Sequence, residues 1–335
     1  MKAAVTGSTG LVGSHLVECL LEQGHEVRAL ARKTSDLSHL KTTGAEIVIG
    51  DVKDYDSLKP LVQGIDIVFH TAAKVMPGWG KWEEFESCIV KGTENMLNAS
   101  IEAGVSRFLY FSSEDVYGEG LFGETPADES TPAEVEFTPY TYYCYAKLLA
   151  DRMAREYHEQ GKIAVTVVRL CGVYGPRDRL LTDRFYGLIK SPIVIWPGKS
   201  NPRTTLAYAA DVAQCAILAA TSDKAIGEVY NVAPPEEQRW GDFADAIARA
   251  LGKSNRRWSI PMRPVYAAAL LMELWGRLWH LKEPPFLTRA DLRLFEKGIY
   301  LGGSKVRKEL GWEPKVSLDE GTRCYVEWRR AQSQR

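Results

Sequence analysis

The sequence predicts a doubly wound α/β fold: a parallel sheet of about seven strands with helices on both faces and a smaller C-terminal α/β cap. Three observations predict it. Short, β-branched, nearly continuous apolar runs alternate with helical patterns, as a parallel sheet covered on both faces requires. The first strand breaks into Gly7, Gly10 and Gly13, spaced three apart, directly before an apolar helical pattern. The rhythm then lapses in 177–203 and 233–330, which are rich in Pro, Trp and Arg.

In chain order, the strands expected are Ala3–Val5, Glu26–Ala31, Ala45–Ile49, Asp66–His70, Arg107–Ser112, Ala164–Arg169 and Glu228–Val232. Helical spacing covers 13–23, 56–63, 83–103, 141–160 and 211–220 between them. Ligands of such sheets bind beyond the carboxyl ends of the strands. The division expected is therefore 1–176 plus 204–232 for the sheet domain and 177–203 plus 233–330 for a cap over that edge. The most apolar helix, Val265 to Leu281, is interrupted by Glu273, Arg277 and His280 and is shorter than a membrane span needs. A buried cap helix, a lid over a lipophilic substrate and an interfacial membrane contact are its three readings.

Composition narrows the function. A formal net charge of −1 over 335 residues gives no electrostatic argument for nucleic acid or an anionic membrane. Six scattered cysteines and six histidines show neither CxxC nor HExxH spacing, so no disulfide framework and no metal are expected. A strand starting at residue 2 is read as leaving no room for a signal peptide, and a cytoplasmic location is expected.

The opening turn is the first chemical signal. Glycines let the backbone turn sharply and lie close to a ligand, while the free N–H groups and dipole of a helix N-terminus favour a phosphate. Gly7, Ser8, Thr9, Gly10, Leu11 and Val12 are its candidate contacts. A dinucleotide site usually carries an acid at the end of the second strand for the adenosine ribose. Here Ala31 is followed by Arg32, which would pair with a 2′-phosphate, so NADP(H) is favoured over NAD(H). Asp51 and Val52, after the third strand, lie where the adenine amino group could be held; a helix cap at Asp51 is the competing reading.

Tyr143 and Lys147 are four apart and share one helix face. A phenol with a pKa near ~10 exchanges protons poorly at neutral pH, and a nearby ammonium would favour the phenolate. Tyr140, Tyr142 and Tyr145 have no lysine four residues on. Ser113, at the end of the fifth strand, could hold a substrate oxygen while Tyr143 moves its proton. Each signal alone is weak. Their order on the expected elements makes the joint coincidence improbable.

These motifs resemble the extended short-chain dehydrogenase/reductase family, with its Rossmann fold. TGxxGxxG is Thr6 to Gly13, Ser-Ser-x-x-Val-Tyr-Gly is 112–118, and YxxxK is 143–147. His70-Thr71-Ala72-Ala73 is similar to the segment that backs the cofactor, and 169–176 to the turn beside the nicotinamide. The resemblance implies Tyr143 as general acid/base, Lys147 on the nicotinamide ribose and Ser113 orienting the substrate carbonyl or alcohol. It adds Thr71, Ala72, Ala73, Leu170, Gly172 and Val173 to the cofactor contacts. Two departures stand out: the family's Asn before Val-x-Gly-Thr is Ile89, and the Pro after Arg169 is Leu170.

Glu283–Arg289, Tyr300–Lys305 and Leu310–Pro314 look like the C-terminal half of 3β-hydroxysteroid-dehydrogenase-like and dihydroflavonol-reductase-like members. Glu114-Asp115 pulls toward sugar-nucleotide 4,6-dehydratases, which carry an acidic pair there in the order Asp then Glu; a solvated acidic loop also explains it. Lys74, Glu114, Asp115, Tyr174 and Arg177 are the candidate substrate residues. The expectation is an NADP(H)-dependent oxidoreductase acting on a carbonyl or secondary alcohol, with an epimerase or dehydratase as the alternative. The resemblance also implies a homodimer through helices 83–103 and 141–160.

Overall fold

The computed structural model describes residues 1–75, 78–254, 256–281 and 283–333. Its strands are β1 Lys2–Thr6, β2 Glu26–Ala31, β3 Glu46–Ile49, β4 Ile67–His70, β5 Arg107–Ser113, β6 Ala164–Leu170, β7 Gly172–Tyr174, β8 Val194–Pro197, β9 Arg203–Thr204, β10 Leu206–Tyr208, β11 Val229–Val232, β12 Gln238–Arg239 and β13 Arg257–Ile260. Its helices are α1 Leu11–Glu22, α2 Lys59–Val62, α3 Trp82–Phe85, α4 Lys91–Glu102, α5 Tyr142–Glu159, α6 Leu181–Lys190, α7 Ala209–Thr221, α8 Trp240–Leu251, α9 Met262–Leu278, α10 Arg289–Lys297, α11 Ser304–Leu310 and α12 Leu318–Ser333.

Seven strands form one parallel sheet in the order β11-β6-β5-β4-β1-β2-β3. All seven expected strands are in it, which is the doubly wound Rossmann architecture. The order reverses between β1 and β4, and the gap that opens there at the carboxyl ends is where such sheets take ligands. Both faces are closed by apolar packing. Leu16, Val17 and Leu20 of α1 meet Val212 and Ala216 of α7 on one side. Met96 and Leu97 of α4 meet Ala146 and Ala150 of α5 on the other.

Four expectations change. The 83–103 helix is α3, a π-helical turn over Glu86–Val90, and α4. Ile89 sits in that turn, fully buried against the sheet, so no amide occupies the position where the resembled family has its Asn. The 56–63 helix is a 3₁₀ turn over Tyr55–Leu58 followed by the four-residue α2, because Pro60 removes a backbone donor. The 169–176 turn contains β7, which pairs with β10 outside the main sheet. Finally, Ile299, Leu301, Val306 and Trp312, assigned to the cap by sequence, join the core on the α1/α7 side. The Trp312 indole N–H donates to the Asp211 carbonyl there (3.2 Å). A separate core of Trp196, Trp240, Phe243 and Ile247 packs α8 against β8.

Candidate functional site

β1 ends in a turn that only glycine fits. Gly7 has φ +63°, and a Cβ there would lie 2.5 Å from Thr71 Oγ1 and 2.9 Å from the Ala72 nitrogen. Two bonds clamp the turn to the chain leaving β4: Thr71 Oγ1 donates to the Thr6 carbonyl (2.6 Å), and the Ala72 N–H donates to Thr6 Oγ1 (3.1 Å). A Cβ on Gly13 would collide with the Gly7 carbonyl, so this glycine lets α1 pack directly on the turn. The helical ladder begins with Ser14 N–H to Gly10 O, which leaves the N–H groups of Leu11, Val12 and Gly13 without intrahelical acceptors. Gly10, the N-cap, offers no side-chain cap, and the first turn holds no acid. This cradle fits a dinucleotide pyrophosphate. Ser8 is the exception among the expected contacts, since its buried hydroxyl is spent on the Leu30 carbonyl (2.7 Å).

Arg32 is exposed directly after β2, its N–H bonded to Ser35 Oγ (3.2 Å). Asp51 folds back to accept the Lys53 N–H (3.0 Å) in a local turn, and the N-cap of the following helical turn is Asp54, so the helix cap read at Asp51 is corrected. Val52 is buried, and its carbonyl takes a bond from Asn95 (2.9 Å).

α5 is tied to the end of β5 at three successive turns. Tyr143, Lys147 and Asp151 are spaced by four and face the sheet. Tyr143 lies beside Ser113. Lys147 Nζ donates to the Phe111 carbonyl (2.6 Å) and lies 5.1 Å from the Tyr110 ring centre. Asp151 accepts from Ser112 Oγ (2.7 Å) and receives Arg169 in a two-pronged pair at 2.9 and 3.0 Å. Arg169 continues to the Tyr117 hydroxyl (3.0 Å), which donates to Asn231 (2.7 Å). Burial raises the Asp151 pKa, but the Arg169 and Ser112 bonds outweigh it and hold the carboxyl below its usual value. This buried network joins β5, α5, β6 and β11. Spacing showed only that Asp151 follows Lys147 by one turn; that Arg169 meets it is a fact of the folded sheet.

Beside Tyr143, the Ser113 hydroxyl donates to Asp115 Oδ2 (2.8 Å). Burial raises the Tyr143 pKa, Asp115 and Glu114 raise it further, and the neighbouring Ser113 hydroxyl opposes them. The Lys147 amine turns to the β5 backbone and the face of the Tyr110 ring. Burial lowers its pKa to about 8.

Glu114 and Asp115 are not a solvated loop. Burial, and then the Asp115 charge, push the Glu114 carboxyl well above its usual range; its Oε2 has no hydrogen-bond partner among the described residues. Asp115 is also raised by burial. Leu170 closes β6, while Gly172 and Val173 lie in β7 beside it. Lys74 pairs with Glu84 (2.9 Å) on the rim. Two substrate candidates are corrected. Tyr174 is core, its ring packed on Tyr208 and Phe243. Arg177 turns to α1, pairing with Glu18 and bonding Ser14 Oγ (2.9 Å), because the nearest carboxylate lies there. Trp79, whose role sequence left open, donates its indole N–H to the Leu281 carbonyl (3.2 Å), tying the loop after β4 to the end of α9. A cavity of about 520 Å³ opens between that loop, Tyr142 and α9.

The chain is 29% identical to a 3-beta-hydroxysteroid dehydrogenase of Mycolicibacterium neoaurum, over 95% of this chain and 88% of that one. It is 30% identical to a 3 beta-hydroxysteroid dehydrogenase/Delta 5-->4-isomerase of Mycobacterium tuberculosis (strain CDC 1551 / Oshkosh), over 96% and 89%. The crystal structure of gox2253 superposes with a TM-score of 0.81 at 27% identity, covering 99% of this chain and 98% of that one. The model of the NAD dependent epimerase/dehydratase family matches residues 3–233, glycine turn through β11. The chain is therefore a member of that family, the extended short-chain dehydrogenase/reductases, whose enzymes are NAD(P)-dependent.

Proposed function

We propose that the protein is an NADP(H)-dependent reductase or dehydrogenase that interconverts a carbonyl and a secondary alcohol on an apolar substrate. The observation that carries this reading is the cluster of Tyr143, Ser113 and Asp115 at the carboxyl edge of the sheet, in which Ser113 donates to Asp115. When bound, the nicotinamide supplies or accepts the hydride. Tyr143, held protonated by burial, gives its proton to the substrate oxygen in the reducing direction. Ser113, turned over to the substrate, holds that oxygen, and Lys147 binds the nicotinamide ribose. The relatives named as 3β-hydroxysteroid dehydrogenases support a secondary alcohol as the reacting group.

A screen of the protein with NADPH against hydroxysteroids, flavanonols, aliphatic aldehydes and nucleotide sugars tests this. Net NADPH consumption with one of the first three is the expected result. The buried pair Glu114 and Asp115 favours a second reading, a sugar-nucleotide epimerase or dehydratase. Conversion of a nucleotide sugar with no net change in cofactor would establish that reading instead.

Exposed Arg32, with no acid at the end of β2, supports NADP(H) over NAD(H). Arg32→Ala is expected to weaken NADPH binding by about tenfold while leaving NADH binding unchanged, as the loss of a charge-assisted contact implies. Titration of cofactor fluorescence measures both; unchanged discrimination removes Arg32 from the reading. Lys147, at about 8, loses its ammonium as the pH rises through that value. NADPH affinity is expected to fall above it in the native protein and to be weak at every pH in Lys147→Met. A homodimer through 83–103 and 141–160, in the cytoplasm, completes the proposal, and a monomeric mass by light scattering would remove the dimer.

A further inference from the structure

α9 is an amphipathic helix whose small residues face inward. Val265, Ala269, Glu273 and Gly276 are the buried positions. Gly276 lies under the Trp79 ring, where a Cβ would come within 3.0 Å. The large residues face outward, from Leu274, 54% exposed, through Trp275, Trp279 and Leu271, to Leu278, 72% exposed. The two-stranded sheet that leads into the helix also exposes apolar side chains. Ile195 of β8 and its registered neighbour Trp258 of β13 are 50% and 70% exposed. A contiguous exposed apolar face of this kind marks a contact surface.

Along the helix and the strand before it the outward charges have one sign, the neighbouring acids being Glu296, which takes the Tyr266 hydroxyl, Glu83 and Glu283. Between Arg256 and Leu281 the sole carboxylate is Glu273, which points inward and is held by Arg289 through its backbone N–H (2.6 Å) and guanidinium (2.8 Å). Arg256, Arg263 and Arg277 are exposed. In a chain of net charge −1 this is a local excess of cations. No described helix is long and apolar enough to cross a membrane. A helix with a Leu/Trp face, flanking arginines and no outward acid suits the plane of an anionic lipid surface.

We propose that α9 docks flat on an anionic lipid bilayer, with its leucines and tryptophans in the headgroup–acyl boundary and its arginines on the headgroups. The docked face includes the helix end that Trp79 ties to the loop after β4, so the surface that meets the bilayer adjoins the rim of the candidate site.

The test is co-sedimentation of the full-length protein with vesicles of phosphatidylcholine alone or of equimolar phosphatidylcholine and phosphatidylglycerol. The expected result is binding to the anionic vesicles, at least about tenfold tighter than to the neutral ones and weakened by salt. The triple variant Leu271→Ser, Trp275→Ser, Leu278→Ser is expected to lose binding by about tenfold or more while its melting temperature is unchanged. Arg263→Glu with Arg277→Glu is expected to abolish the anionic preference, and it decides the matter independently should the triple variant misfold. Absence of binding, equal binding to both vesicles, or equal binding by native protein and the charge-reversed variant overturns the proposal. A native dimer that the triple variant turns into a monomer also overturns it, by showing that a second copy covers the face.

Discussion

Tyr143→Phe is expected to lower kcat by about a hundred- to ten-thousand-fold, the range for loss of a positioned general acid/base. That corresponds to roughly 3–5 kcal/mol in the barrier. Geometry is the reason. Tyr143 lies beside Ser113 at the strand end, and the serine proton is committed to Asp115, so the phenol holds the proton available to a substrate. Phenylalanine keeps the ring packed among the α5 contacts, so stability and NADPH affinity should hardly change. Kinetics followed by the absorbance of the reduced nicotinamide, alongside NADPH titration of the variant, check both halves. A variant with native kcat would place the proton transfer elsewhere, with Asp115 as the next residue to remove.

Asp151→Ala is expected to destabilise the protein by about 3–5 kcal/mol, the usual consequence of leaving one member of a buried ion pair alone. Arg169 has 4% of its side chain exposed and Asp151 none, so water cannot replace the lost carboxylate. The same change releases Ser112, beside the site's Ser113. Urea denaturation, with reversibility established first, measures the loss. Replacing both partners, Asp151→Leu with Arg169→Met, is expected to be less destabilising than Asp151→Ala, since no charge is then stranded. A loss as large in the double variant would mean that packing, not charge pairing, is what the network contributes. Asp151 also has an acid signature. Its folded pKa lies below the unfolded value, so its contribution is complete above the unfolded value and is lost as the pH falls through the folded one.

Much of the site was legible in the linear chain, for identifiable reasons. The β1–α1 turn demands glycine at φ +63°, and a missing Cβ is visible in sequence. Tyr143 and Lys147 announce a shared face because helical period converts spacing into direction. Other residues carried no such signature. Arg169 was visible within a motif, but a buried arginine reveals its partner only when β6 and α5 pack together. Arg177 looked like a substrate residue from its place after β7, yet Glu18 on α1 claims it. Glu114 and Asp115 sat beside a long acidic loop and read equally well as solvated; only the closure of β6 and β7 over them makes them buried acids.

α9 shows the same division most sharply. Its apolar composition was plain, but composition does not say which side of a helix meets the protein, and the buried stripe proved to be the small residues. Spacing along the chain was enough for the parallel sheet, the glycine cradle and the phenol–amine pair, because each depends on neighbours within a turn or two. The tertiary structure decided the partner of every buried charge, the turning of Lys147 toward β5 and the exposure of α9. Those are contests between groups far apart in sequence, settled only when the chain has closed around them.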